Sequence, residues 1–233
     1  MASTPPTNEA FLREVDEELR RDELQSLWKR YGRLAVGLLV LVLAAWGGWL
    51  YWEDREYKAA GVEGEQLSQA LDDLQAGNSD AALAKLAPLA ESKHVGYRAS
   101  AKMAEAGVAL GKNDFAGAAK TYGEVATDTR VPQPWRDLAL IRQTAAEFDT
   151  IKPELVVARL RPLAAKGNPW FGSAGEMVAA AYLKMGKPEL AGKLFADIGK
   201  DENVPDSIRS RAVQMAGSLG VDAINPPAKE VTK

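Results

Sequence analysis

The chain has 233 residues, a formal net charge of −3, a single histidine and no cysteine. The absence of cysteine excludes disulfides, thiol catalysis and cysteine metal sites, and a nearly neutral charge provides no basic field for nucleic acid. We therefore expect no nucleic-acid partner. Alanine is abundant, and aromatic residues make up only 7% of the chain. This composition favours an all-α fold.

Residues 1–33 are predicted to form a cytoplasmic tail and an amphipathic helix. The first seven residues include two prolines and are expected to be disordered. A helix should begin near Asn8, a good N-cap, and end at Tyr31 before Gly32. Two interpretations stay open for this helix. It is either a solvated juxtamembrane segment or a surface that binds a partner or the cytoplasmic leaflet.

Residues 34–52 are predicted to form a single transmembrane helix. The stretch is apolar and contains no charged residue. As a helix it would be about 28 Å long, close to the hydrocarbon thickness of a bilayer. A buried core helix would be shorter or amphipathic. A cleaved signal peptide is disfavoured because Trp46, Trp49, Tyr51 and Trp52 occupy the end where cleavage would fall.

The charges on either side of this stretch predict its orientation. Five basic residues precede it closely: Arg20, Arg21, Lys29, Arg30 and Arg33. The exit side begins with the acidic segment Glu53-Asp54-Arg55-Glu56. Since an excess of Lys and Arg marks the cytoplasmic side, we expect the N-terminus inside and the remainder of the chain across the membrane.

Residues 53–220 carry an internal repeat. Four reference points, Gly77, Asn113, Ile151 and Gly186, are separated by 36, 38 and 35 residues. A small residue follows each reference point after five positions, and larger residues follow after nine and twelve. These positions are Ala82, Ala118, Val156 and Ala191; Leu86, Tyr122, Leu160 and Phe195; and Leu89, Val125, Leu163 and Ile198. The pattern predicts a helical face on which small residues allow neighbouring helices to approach.

A longer period, of 73 or 74 residues, is also present. Leu-Ala-Pro-Leu-Ala at 86–90 is similar to Leu-Arg-Pro-Leu-Ala at 160–164, and Val-Pro-Gln-Pro-Trp-Arg at 131–136 is similar to Val-Pro-Asp-Ser-Ile-Arg at 204–209. Two-helix units of about 34 residues are typical of tetratricopeptide repeats. We predict an α-solenoid of about four degenerate repeats, with a disordered tail over 221–233. An irregular helical bundle is the alternative.

Turn and cap residues predict where the helices of each repeat begin. Second helices should begin at Ser79 or Asp80, Asp114, Pro153 and Pro188, and first helices near Val95, Pro134, Pro169 and Pro205. Pro88 and Pro162 should kink or shorten their helices.

The sequence predicts no catalytic, cofactor-binding or metal site, and therefore no cofactor and no enzyme. His94 lies in a predicted turn and has no second histidine or cysteine to complete a metal site. No phosphate-binding loop is present. Five basic residues on predicted first helices either line a groove or are ordinary solvated charges: Arg98, Lys102, Arg136, Arg142 and Arg209. We expect Trp135 and Trp170 to pack in the core.

Two segments carry a resemblance to a known family. Leu-Trp-Lys-Arg-Tyr-Gly at 27–32 precedes the apolar stretch, and Gly-Trp-Leu-Tyr-Trp at 48–52 ends it. With the acidic N-terminal helix and the repeats, this plan resembles the YfgM family of ancillary subunits of the bacterial Sec translocon.

The resemblance implies a single-pass inner-membrane protein with a periplasmic repeat domain. Its partners would be Sec translocon subunits, periplasmic chaperones and emerging chains, and no catalytic residues would be carried over. The expected function is a membrane-anchored interaction scaffold. The alternative is a similar scaffold that coordinates envelope growth or cell division.

Overall fold

The computed structural model describes residues 7–223, with side chains from residue 29 onward except Ala35. Every regular element in this range is an α-helix, which confirms the all-α prediction. The helices are α1 (Thr7–Gln75), α2 (Ser79–Ala90), α3 (Val95–Gly111), α4 (Phe115–Thr127), α5 (Gln133–Glu147), α6 (Pro153–Leu160), α7 (Phe171–Lys184), α8 (Pro188–Gly199) and α9 (Asp206–Ser218). Most of the two segments predicted to be disordered, 1–7 and 221–233, lies outside the described residues.

The chain divides into two units, Met1–Gly61 and Val62–Lys233. Helix α1 does not end before Gly32, where we predicted a boundary. The prediction was wrong because one glycine in a helix interior costs only about 1 kcal/mol, less than a cooperative helix can absorb. The functional boundaries at residues 33, 52 and 220 stay predictions.

The first unit contains the apolar stretch. Within Lys29–Gln75, a window with a mean hydropathy of 2.0 is long and apolar enough to cross a membrane, and none of that window is buried. Large apolar side chains from Leu34 to Trp52 are exposed around the helix. The core helix of a water-soluble domain would be mostly buried. The finding is compatible with a single-pass membrane anchor.

In the second unit, all twelve positions of the repeat pattern are buried. The most exposed of them, Leu163, retains 7% of its accessible surface. The end of α1 pairs with α2, followed by the pairs α3–α4, α5–α6 and α7–α8, and α9 closes the series. The spacing read from the sequence therefore identifies the core face of α2, α4 and α8 and, in the third pair, the core positions of α6 and of the turn that follows it.

A common turn follows the first helix of most pairs. Three of the four reference residues have left-handed backbone, with φ of +80° at Gly77, +62° at Asn113 and +68° at Gly186. In each case the next N–H donates to the carbonyl oxygen five residues earlier, at 2.8 to 2.9 Å. Gly220 repeats this geometry after α9. Ile151 departs from it, so the third pair uses a different turn.

The predicted helix starts agree closely with the structure. Asp114 caps α4, its Oδ1 accepting a hydrogen bond of 2.8 Å from the backbone N–H of Gly117. Helix α6 ends at Leu160, so Pro162 falls beyond a shortened helix as predicted. Pro88 lies inside α2, close to its end at Ala90.

First helices of successive pairs contact one another directly: α3 with α5, α5 with α7, and α7 with α9. Among the helices from α2 to α9, no second helix contacts the next second helix. The first helices therefore lie closer together and form the inner side of the array. This ordered stacking favours the solenoid over the irregular bundle.

Candidate protein-binding pockets

The first candidate site, the Trp135 pocket, is an open cavity of about 430 Å³ at the starts of α3 and α5. Leu67 of α1, Tyr97 of α3 and Trp135 of α5 line it. Because it touches three successive first helices, the pocket lies on the inner side of the array. Trp135 is 42% exposed, so our expectation that it packs in the core was wrong.

A second cavity, the Trp170 pocket, has a volume of about 460 Å³ and lies at the starts of α7 and α9. Trp170, Pro205 and Ile208 are among the residues that line it. Trp170 is partly buried and also packs against the core shared by α6 and α7, as we expected for this residue. Both cavities therefore place a tryptophan at the start of a first helix.

The two pockets are copies of one another. Ten of the eleven residues that line the Trp135 pocket have a counterpart 73 positions later in the lining of the Trp170 pocket, and Leu67 is the exception. Tyr97 thus corresponds to Trp170, and Trp135 corresponds to Ile208. The 73-residue period seen in the sequence duplicates a surface site as well as the core.

A valine-proline turn shapes each copy. Val131 and Val204 are buried, and the proline that follows each has the extended backbone of an N-cap, with ψ of 143° and 141°. Proline suits this place because its ring fixes φ and it needs no amide partner. The turn anchors the floor of the pocket and sets the start of the next first helix.

The two copies differ in charge. Asp128 and Asp201 are equivalent, and each accepts a hydrogen bond from the backbone N–H two residues later, at 3.0 and 2.9 Å. Asp128 also pairs with two guanidinium groups, at 2.9 Å to Arg130 and 3.1 Å to Arg98. The hydrogen bonds from Arg130, more than that from Arg98, hold the pKa of Asp128 well below its usual range.

In the second copy, Asn203 replaces Arg130 and Phe171 replaces Arg98. Asp201 makes no ion pair with a described residue, and its side chain is half-buried. The cluster beside the Trp135 pocket therefore carries a net charge of +1, from two arginines and one aspartate. The equivalent place beside the Trp170 pocket carries −1.

A third cavity, of about 480 Å³, lies beside the first pocket and is polar. Arg98, Lys102, Glu124 and Asp128 line it. These four side chains form two ion pairs, at 3.1 Å between Arg98 Nη2 and Asp128 Oδ2 and at 2.7 Å between Lys102 Nζ and Glu124 Oε2. Nearby on α3, burial raises the pKa of Glu105. The paired charges favour a structural role for this cavity.

The five basic residues of the predicted first helices have different roles. The side chain of Arg98 is only 11% exposed, so it is not an ordinary solvated charge. Lys102 pairs with Glu124 as described above. Arg136 donates to Gln133 and Arg209 to Asp206, again 73 positions apart, while Arg142 is exposed.

His94 lies in the turn before α3, as predicted, and pairs with Glu63 of α1 at 3.0 Å. The hydroxyl of Ser92 donates to the same carboxylate oxygen at 2.6 Å. These contacts fix the turn to the end of α1. Within the described residues, no group of three or more potential ligands could hold a metal ion. That the chain has no catalytic or cofactor site stays a prediction.

The fold is that of a helical-repeat protein. A family described as tetratricopeptide repeat-like domain matches residues 25–203, and the chain belongs to this family. The match begins before the apolar stretch and extends through α8. Comparisons with curated proteins and with solved structures found no match.

Proposed function

We propose that this protein is a membrane-anchored interaction scaffold and an ancillary subunit of the Sec translocon. It would link the translocon to periplasmic chaperones or to emerging chains. The observation that carries the proposal is the combination of an exposed apolar helix with a repeat domain that presents two open pockets, each with a tryptophan in its lining. The choice of partner rests on the resemblance at 27–32 and 48–52.

The proposed topology places the N-terminus in the cytoplasm and the repeat domain in the periplasm. It is supported by the basic residues before the apolar stretch and the acidic segment after it. Anchoring confines the pockets to the membrane surface, which raises the effective concentration of any partner held there. A modest intrinsic affinity would then be sufficient.

A scaffold is favoured over an enzyme because tetratricopeptide-like domains generally bind other proteins without transforming them. Protein-binding sites commonly use large aromatic anchors in pockets with a polar surround. Trp135, with Tyr97 and Leu67 beside it, fits this description.

Photo-crosslinking in intact membranes tests the proposal. A photoreactive amino acid would replace Trp135 in one variant and Leu155 of α6 in another. Both residues are 42% exposed, but Leu155 lines neither pocket, so it is a matched control. We expect translocon subunits, chaperones or emerging chains to be captured from position 135 and not from position 155. Capture of none of these above the control would refute the proposal.

A further inference from the structure

We infer that the two pockets form one two-point site for a single extended polypeptide segment. The segment would carry two apolar side chains about six residues apart, an acidic residue beside one and a basic residue beside the other. The inference rests on the proposed function, since it assumes that the repeat domain holds other proteins. Beyond the proposed function, it specifies which side chains the bound segment carries and how far apart they lie.

The duplication is the first argument. Two cavities of similar volume, about 430 and 460 Å³, occupy equivalent positions in the 73-residue period. Cavities of this size are in the range that holds a small ligand or a few side chains rather than a folded surface. Since both lie where successive first helices meet, one chain running along the inner side would pass over each of them.

The spacing follows from helix packing. Pocket centres lie between α3 and α5 and between α7 and α9, and the intervening first helices are in direct contact. Two steps of roughly 8–10 Å between packed helices give a separation of about 16–20 Å. An extended chain advances about 3.3 Å per residue, so five or six residues cover this distance. A helical ligand would need about twelve.

Charge complementarity is the third argument. Arg130 lines the first pocket with its side chain 69% exposed, whereas its counterpart at the second pocket is the neutral Asn203, and Asp201 there makes no ion pair with a described residue. An acidic ligand residue is favoured at the first pocket and a basic one at the second. A segment with the same charge at both ends would be repelled at one of them. The occupant is therefore an unfolded chain of mixed charge rather than a uniformly acidic or basic one.

Binding of labelled peptides to the full-length protein in detergent micelles tests the inference by fluorescence anisotropy. Each peptide has two leucines in a Gly-Ser background, with Glu outside one leucine and Lys outside the other. We expect the peptide with leucines six residues apart to bind about tenfold more tightly than one with leucines two apart, because only the former reaches both pockets. Tightest binding at a spacing of eleven would indicate a helical ligand and overturn the inference. Affinity independent of spacing would overturn it too.

Single substitutions distinguish how much each pocket and its neighbouring charge contribute to peptide affinity. Trp135→Ala should weaken the six-spaced peptide by about tenfold or more, the loss typical of an aromatic anchor, while Leu155→Ala leaves it unchanged. Asp201→Asn keeps the acceptor oxygen of its turn and should strengthen binding of a peptide with Glu at both ends by about two- to fivefold. No change with Asp201→Asn, or equal losses for Trp135→Ala and Leu155→Ala, would contradict the inference.

The inference and the proposed function can fail separately. If the peptides show the predicted spacing and charge dependence but crosslinking at position 135 captures no translocon component, chaperone or emerging chain, the two-point site stands and the proposed partners are wrong. If crosslinking succeeds but affinity is independent of spacing, the partners stand and the two-point site is wrong.

Discussion

Truncating Leu160 tests the repeat assignment, which places this residue in the core of the third helix pair. Leu160 is the last residue of α6 and is fully buried in a core shared with Val156 and with Val178 of α7. The sequence pattern places it in the same role as Leu86, Tyr122 and Phe195. In that role its side chain fills space between α6 and α7, and its truncation leaves a cavity there.

We expect Leu160→Ala to lower the free energy of unfolding by about 3 kcal/mol, within the range of 2–5 kcal/mol for buried leucines. Part of the loss is the transfer of the side chain, about 1.5–3 kcal/mol for complete burial, and the rest is the cavity. Leu155 of the same helix is 42% exposed, so Leu155→Ala should change stability by less than about 0.5 kcal/mol.

Urea unfolding of the full-length protein in a mild detergent, followed by circular dichroism at the helix band, measures both variants against the parent. At a typical urea dependence of about 1–3 kcal/mol per molar, a loss of about 3 kcal/mol moves the midpoint of Leu160→Ala down by roughly 1–3 M. Equal midpoints for the two variants would refute the assignment of position 160 to the core.

Three further predictions concern stability. Gly172→Ala should destabilise the domain by about 1–3 kcal/mol, because its new Cβ would lie 2.7 Å from Val204 Cγ1. Gly217 has open space around it, so Gly217→Ala should stabilise the domain by about 1 kcal/mol. Thermal unfolding that ranks the two variants in the opposite order would contradict this prediction. Asp128→Asn should be destabilising at pH 7, because a lowered pKa contributes stability above the unfolded value of about 3.9 and loses it as pH falls through the folded value. The deficit should shrink below about pH 4, and a deficit independent of pH would refute it. Glu105→Gln should be stabilising at pH 7, because burial raises the pKa of Glu105 and penalises its charged form. Urea midpoints should show that this added stability becomes smaller as the pH is lowered. A lower midpoint for the variant than for the parent at pH 7 would contradict the prediction.

The helix-pair core could be predicted from sequence because its determinants are local and repeated. Ala191, Phe195 and Ile198 face the core through helical spacing alone, and all three are buried. The turn at Gly186 follows from the preference of glycine for left-handed backbone. Capping by Asp114 likewise depends on residues within one turn of the helix.

The pockets could not be predicted because they depend on how distant segments approach. The Val-Pro motif that recurs at 131 and 204 is visible in the sequence, but the exposure of Trp135 depends on where α1 and α3 lie beside it. Burial of Arg98 likewise depends on a partner thirty residues away, Asp128. A position-by-position alignment at the 73-residue period could have identified the site. It would have paired the Val-Pro segments at 131 and 204, and also the residues before α3 with those before α7.

Helix α1 also differs from the sequence prediction, because it continues through Gly32. Gly32 predicts a helix end because glycine often follows the last turn of a helix. Its local cost is small, and extension of an existing helix is favourable once nucleated. A stop signal of this kind is decisive only when the following residues cannot continue the helix.

The membrane topology is tested most directly by labelling single engineered cysteines with a membrane-impermeant maleimide, because the chain has no cysteine of its own. Leu155→Cys reports on the repeat domain and Ser3→Cys on the N-terminus. The proposed topology predicts that the cysteine at 155 reacts in spheroplasts, while the cysteine at 3 reacts only after lysis. Reaction at 3 and protection at 155 in intact spheroplasts would contradict the proposed topology and, with it, the periplasmic scaffold.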